Sequence, residues 1–146
     1  MDLLERIRSG RFVPDSDPPL ASPGRRLTLR ETGARVGSGE DPLFAIREFL
    51  DQAWRADDVT LAAMIDERPE LKGNIRADAL LGGVAEHLTA VRGMRAPTWT
   101  TEPERFLDRF WFVSTVPGLR ATALAQTPVA LKRRGIFWPA RSLQRV

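Results

Sequence analysis

The chain has no cysteine and only one histidine among its 146 residues. The missing thiols exclude disulfides and cysteine-based zinc sites, and they agree with a reducing compartment such as the cytoplasm. His87 has no second histidine beside it for a histidine-rich metal site or a nucleophilic triad, so a solvated or hydrogen-bonded surface position is expected. We therefore expect no enzyme, no cofactor and no metal site.

Long apolar runs are also missing. The first residues, Met1 to Glu5, are acidic rather than typical of a signal peptide. No window approaches the roughly 18 consecutive apolar residues that a membrane span needs. Hydrophobic residues still make up 42% of the chain, which is enough for a core. These features predict a single cytoplasmic domain without a membrane partner.

Charge is distributed unevenly along the chain. Residues 1–91 carry 12 basic and 16 acidic side chains, whereas residues 92–146 carry 10 basic and 3 acidic ones. The positive end would attract an acidic protein or a nucleic acid. Nearly all of its basic residues are arginines, which make planar, two-pronged contacts to carboxylates or phosphates.

Proline and glycine set the N-terminal region apart. Turn-forming residues are concentrated between Pro14 and Pro42, which is typical of a linker. Within it, the alternation of residues 26–30 is compatible with a strand that pairs with 34–36 in a hairpin, and an extended arm lying on a surface is the favoured interpretation. We assign residues 1–41 to a partly extended N-terminal arm, with a short helix over residues 1–8, and residues 42–146 to a helical domain.

Helical periodicity begins at Asp41 and Pro42, a good cap followed by a favoured first residue. Apolar spacing predicts helices from 42 to about 54, from 58 to 67 and from 74 to 92, with left-handed Gly93 after the third. Paired glycines at 82 and 83 cost roughly 1 kcal/mol each relative to alanine, and a close helix–helix approach would explain them.

Further helices are predicted in the C-terminal third. Thr101 and Glu104 have the spacing of a capping box, so we expect a helix there that buries Phe106, Leu107 and Phe110. Shorter helices are expected over 117–126 and 128–135. The fold class that follows is all-α, a compact bundle of five to seven short helices with an irregular N-terminal arm.

Arginine and tryptophan, which are common anchors of interfaces, coincide in this third of the chain. Arg120, Arg141 and Arg145 add to its positive charge. Compensation of a helix dipole would also explain residues 132–134, and core packing would explain the tryptophans, above all Trp99. The candidate partner-binding residues are Arg105, Arg109, Trp111, Lys132, Arg133, Arg134 and Trp138.

Five motifs carry a resemblance to a known family: LLGGVAEHL at 80–88, APTW at 96–99, EPERFLDRFWF at 102–112, PGLRATAL at 117–124 and KRRGIF at 132–137. Over residues 43–146 the chain resembles the C-terminal domain of actinobacterial helix-turn-helix antitoxin-like proteins that are encoded beside nucleotidyltransferase-like toxins. The first 40 residues show no helix-turn-helix pattern, so direct operator binding is not expected.

The resemblance implies an antitoxin-like function in a toxin–antitoxin system. The expected partner is the cognate nucleotidyltransferase-like toxin, whose active-site cleft bears metal-binding carboxylates and would attract a basic surface. A nucleic-acid-binding transcriptional regulator that uses the same arginines is the alternative, and its binding would weaken steeply with salt.

Overall fold

The computed structural model describes residues 26–144, and over this range the fold is the expected all-α class. The α-helices are α1 (Leu29–Gly37), α2 (Pro42–Ala53), α3 (Asp58–Asp66), α4 (Ile75–Val91), α5 (Arg120–Gln126) and α6 (Val129–Lys132). Single 3-10 turns lie at Thr98–Thr101, Pro103–Arg105, Pro117–Leu119 and Ala140–Leu143. Two short strands, β1 (Trp111–Phe112) and β2 (Ile136–Phe137), pair in parallel.

The boundaries of α2, α3 and α4 confirm the predictions from periodicity and capping. Side chains of Asp41, Asp57 and Asn74 accept hydrogen bonds from backbone N–H groups in the first turns of the three helices. These caps satisfy donors that have no partner inside a helix. Gly93 follows α4 with φ of 67°, the left-handed conformation expected there.

Helix α4 lies at the centre of the structure. Its residues 77–85 are all buried, so both of its faces are covered, unlike those of a surface helix. Leu80, Val84 and Leu88 have no exposed surface and join the core with Phe49 of α2 and Leu61 of α3. The elements of the C-terminal third pack around this helix.

Neither the hairpin nor the extended arm is found over residues 26–36, because the chain forms α1 there. The Thr28 hydroxyl accepts a hydrogen bond from the Glu31 backbone N–H at 3.1 Å and caps the helix. Leu29 is fully buried, and a Cβ on Gly33 would lie 3.2 Å from Leu81 of α4. The part of the arm that the structure describes is thus helical from Leu29 and packed on the core, while the predicted helix over residues 1–8 lies outside the described range.

The helix predicted after Thr101 is also wrong. Two 3-10 turns replace it, the chain is extended at Phe106, and Phe110 is 72% exposed instead of buried. The chain bends at residues 108 and 109 before it enters β1, where the Trp111 N–H donates to the Gly135 carbonyl at 2.8 Å. A non-local strand pair therefore satisfies backbone groups that the predicted helix would have satisfied locally.

Candidate functional site

Two sets of arginines in and around the C-terminal third have opposite environments. Arg105 and Arg134 have no exposed surface, and we call them the arginine clamp. Arg47, Arg120 and Arg141 are exposed and surround a cavity of about 290 Å³, the basic groove. The groove is lined by Leu43, Arg47, Phe112, Val113, Ser114, Leu119, Arg120, Thr122, Ala123, Phe137, Trp138, Pro139, Arg141 and Ser142.

Arg105 ties the loop after α4 to the core. Its Nη1 donates to the Asp78 carbonyl at 3.1 Å, its Nη2 donates to the Pro69 carbonyl at 2.5 Å, and its Nε donates to Glu102 at 3.0 Å. The guanidinium also lies 4.7 Å from the centroid of the Trp99 ring. Because backbone carbonyls and a carboxylate surround it, this cation holds segments together instead of presenting charge to a partner.

Arg134 makes a similar set of contacts from the end of α6. Its Nη1 donates to the Glu86 carboxylate and to the Ala130 carbonyl, and its Nη2 donates to the Thr100 carbonyl at 2.6 Å. Burial lowers the pKa of the Arg134 guanidinium, and the Glu86 carboxylate opposes that shift. Its Nε is buried without a hydrogen-bond partner in the described part of the chain.

The glycine pair of α4 makes room for the clamp. A Cβ on Gly82 would lie 3.1 Å from Arg105 Cδ and 3.2 Å from Arg134 Nε, and a Cβ on Gly83 would overlap Leu131 of α6. The close helix–helix approach expected from the sequence is therefore confirmed at Gly83. At Gly82 the neighbours are arginine side chains.

The seven candidate residues do not form one surface. Arg105, Arg134 and Trp138, at most 4% exposed, are too buried to contact a partner, which corrects the sequence-based expectation for them. Their burial follows from the bonds to α4 and from the packing of β2. Trp99 is buried as expected, with its indole N–H donating to the Ile65 carbonyl at 3.0 Å.

The other four candidates have mixed environments. Arg109 is exposed, Arg133 is an exposed cation 3.5 Å from Glu86, and Lys132 is half-buried. Trp111 is half-buried, with the Arg76 guanidinium 5.2 Å from its ring centroid. Of the seven, Trp138 alone lines the basic groove, as part of its floor.

The groove joins residues that are distant in the sequence. Arg47 comes from α2, Arg120 from the first turn of α5 and Arg141 from the final 3-10 turn. The sequence pointed to Arg120 and Arg141 through the excess of basic residues, but nothing in it pointed to Arg47, which lies in the acidic part of the chain. Only the packing of β1 and β2 beside α2 brings the three side chains to one cavity.

The charged side chains that line the groove are all positive. Its lining contains three guanidinium groups and no carboxylate. Among residues 26–144, Arg47, Arg120 and Arg141 have no ion-pair partner, whereas Arg30, Arg35, Arg68 and Arg92 each pair with an acidic side chain. An unneutralised cluster next to apolar surface is suited to an anionic partner.

Within residues 26–144, no group of three or more histidine, aspartate or glutamate side chains lies close enough together to hold a metal ion. Asp57 caps α3 by accepting from the Thr60 N–H at 2.7 Å. The described helices include none with the length and apolar character of a membrane span.

His87 is half-buried against the edge of Trp54, not solvated.

Comparison with known proteins yields no relative: no family model, no curated protein and no solved structure matches the chain.

Proposed function

We propose that this chain is a non-enzymatic, antitoxin-like binding protein that neutralises a nucleotidyltransferase-type toxin by direct contact. The observation that carries the proposal is the basic groove, whose three guanidinium groups have no acidic partner within residues 26–144. A nucleotidyltransferase concentrates carboxylates in its cleft to hold metal ions, so its surface is complementary to this groove. The family resemblance over residues 43–146 suggests the same partner.

The contact surface in this proposal is the groove and the apolar residues at its edge, not the seven residues expected from the sequence. Leu119 is 41% exposed at the groove, and Val116 and Leu124, 54% and 50% exposed, lie in the adjoining segments. Exposed apolar side chains next to arginine have the composition of an interface core with a charged edge.

A nucleic-acid partner is the weaker candidate. Among the candidate partner-binding residues, Trp111 and Trp138 would be the rings on which bases stack beside the arginines. Trp138 is only 4% exposed, and the Arg76 guanidinium lies over the ring of Trp111. The positive charge alone would give sequence-independent binding that is lost as salt rises.

The test is co-expression with the nucleotidyltransferase-like protein encoded next to this chain's own gene. The wild-type chain is expected to co-purify with that protein and to restore growth of cells that express it. The double variant Arg120→Glu/Arg141→Glu should bind about 100-fold more weakly, because each reversal places a carboxylate against the acidic partner.

The matched control is Arg55→Glu/Arg95→Glu, which changes the net charge equally at two exposed positions outside the groove. Its affinity should stay within about threefold of the wild type, apart from the long-range effect of net charge. If the wild-type chain neither co-purifies with the neighbouring protein nor lowers its activity, the proposed function is wrong. Binding of one DNA or RNA sequence in preference to others, with an affinity that falls steeply as the salt concentration rises, would favour the regulator instead.

A further inference from the structure

We propose that the basic groove binds a short acidic segment of the partner protein, with one aliphatic side chain inserted into the groove and flanking carboxylates held by Arg47, Arg120 and Arg141. This inference rests on the proposed function and goes further, because it specifies which kind of polypeptide segment is recognised. It is built from the shape of the groove, its charges and the coverage of its aromatic rings.

The shape favours an inserted side chain. At about 290 Å³ the groove is just smaller than typical ligand-binding cavities, which span roughly 300–1,000 Å³. Leu43, Leu119 and Ala123 give it aliphatic walls, and the buried edges of Phe137 and Trp138 contribute to its floor. An aliphatic side chain in this cavity would cover Leu119, whose exposed surface is otherwise left in water.

The charges favour carboxylates on either side of that side chain. The three guanidinium groups come from three separate elements and line the same cavity as the aliphatic walls. Each can hold a carboxylate through two parallel N–H···O bonds. The hydroxyls of Ser114, Thr122 and Ser142 also line the groove, and they can both donate to and accept from a peptide backbone.

The coverage of the aromatic rings argues against a nucleotide or a single-stranded nucleic acid. Phe137 stacks on Phe112 with ring centroids 4.9 Å apart, and the Arg120 guanidinium lies 5.2 Å from the Phe112 centroid. The Arg47 guanidinium lies 5.9 Å from the centroid of Trp138. A base would therefore have to displace existing contacts to stack, whereas an aliphatic side chain and carboxylates would not.

A photo-crosslinking experiment in the co-expressed complex tests this directly. Thr122 is replaced with the photoreactive residue benzoylphenylalanine, and Thr98, which is exposed in a different cavity, is replaced in a matched control. After irradiation, mass spectrometry identifies the attached segment of the partner. We expect the Thr122 probe to attach to a segment in which Asp or Glu flanks Leu, Ile or Val, and the Thr98 probe not to attach to that segment.

Single substitutions measure how much each arginine contributes to the affinity for the partner. Arg47→Gln and Arg120→Gln should each weaken binding of the partner by about tenfold, and Arg109→Gln, an exposed arginine outside the groove, should not. Replacing the mapped Asp or Glu of the partner with its amide should weaken binding of the wild-type chain equally. The same amide replacement should weaken binding of the matching arginine variant little further. If the arginine and the carboxylate interact as a pair, replacing the arginine already removes their interaction.

The outcomes separate this inference from the proposed function. A complex that forms without any crosslink at Thr122, or a crosslink to a segment without carboxylates, overturns the acidic-segment inference and leaves the proposed function standing. A crosslink to nucleic acid overturns it too. If no complex forms with the neighbouring protein, the proposed function fails and the inference fails with it.

Discussion

The arginine clamp and the basic groove hold the same type of side chain, arginine, in opposite environments. In the clamp, Arg105 donates to two backbone carbonyls and a carboxylate and has no exposed surface. In the groove, Arg120 and Arg141 are exposed and have no ion-pair partner within residues 26–144. Arginine in the first environment stabilises the fold, and arginine in the second is available to a partner. Substitutions in the two regions should therefore change different measurements.

The largest expected effect is in the clamp. Arg105→Ala removes the guanidinium donor from the Pro69 and Asp78 carbonyls and from the Glu102 carboxylate, and it opens a cavity beside Trp99. We expect the free energy of unfolding to fall by about 3–5 kcal/mol, measured by urea denaturation followed through tryptophan fluorescence. The exposed Arg109→Ala is the control and should change it by no more than about 0.5 kcal/mol. Equal effects of the two substitutions would remove the distinction between buried and exposed arginines.

A smaller effect is expected where α4 meets α6. Gly83→Ala places a methyl group against Leu131, an overpacking cost of about 1–3 kcal/mol that outweighs the roughly 1 kcal/mol gained in helix propensity. The net loss of stability should be about 1 kcal/mol. Gly118→Ala, which meets no neighbouring atom, should be neutral.

The Leu131→Ala background sharpens this prediction. With the Leu131 side chain shortened, Gly83→Ala should become stabilising, because the gain in helix propensity remains and the overlap is gone. A loss of the same size in both backgrounds would mean that Leu131 is not the cause.

A third prediction concerns pH. Burial lowers the pKa of His87, so the unfolded chain takes up the proton first as the pH falls. Stability is therefore fully present above the unfolded pKa, near 6.5, and is lost as the pH falls toward the folded value. Urea denaturation between pH 7.5 and 5.5 should show this loss, and His87→Gln, which removes the only histidine, should abolish it over that range. The same slope in the variant would refute the assignment.

The smallest effect on stability is expected in the groove. Arg47→Gln/Arg120→Gln/Arg141→Gln should lower the free energy of unfolding by only about 0.5–1 kcal/mol. These exposed side chains have no acidic partner to lose among the described residues, and the contacts of Arg47 with Trp138 and of Arg120 with Phe112 are solvent-exposed and weak. Partner binding should fall sharply in the same variant. A loss of stability comparable to that of Arg105→Ala would show that the groove arginines are structural.

The scaffold helices and the segment after Thr101 differed in how well the sequence predicted their structure. The scaffold helices α2, α3 and α4 were found from periodicity and caps, which are local signals. The segment from Thr101 to Phe110 was predicted as a helix from its capping-box spacing, which is also a local signal. The structure of this segment is set instead by the hydrogen bonds of Arg105 and by the pairing of β1 with β2. Both involve residues far away in the sequence.

The sequence by itself determined the all-α class, the main helices, and the excess of positive charge at the C-terminal end. It also indicated that Gly82 and Gly83 meet a close neighbour. Only the tertiary structure decided which arginines are buried and which are free, and that Arg47 joins Arg120 and Arg141. The physical reason is that a helix is specified by residues three or four positions apart, whereas the burial of a cation is specified by whatever packs around it.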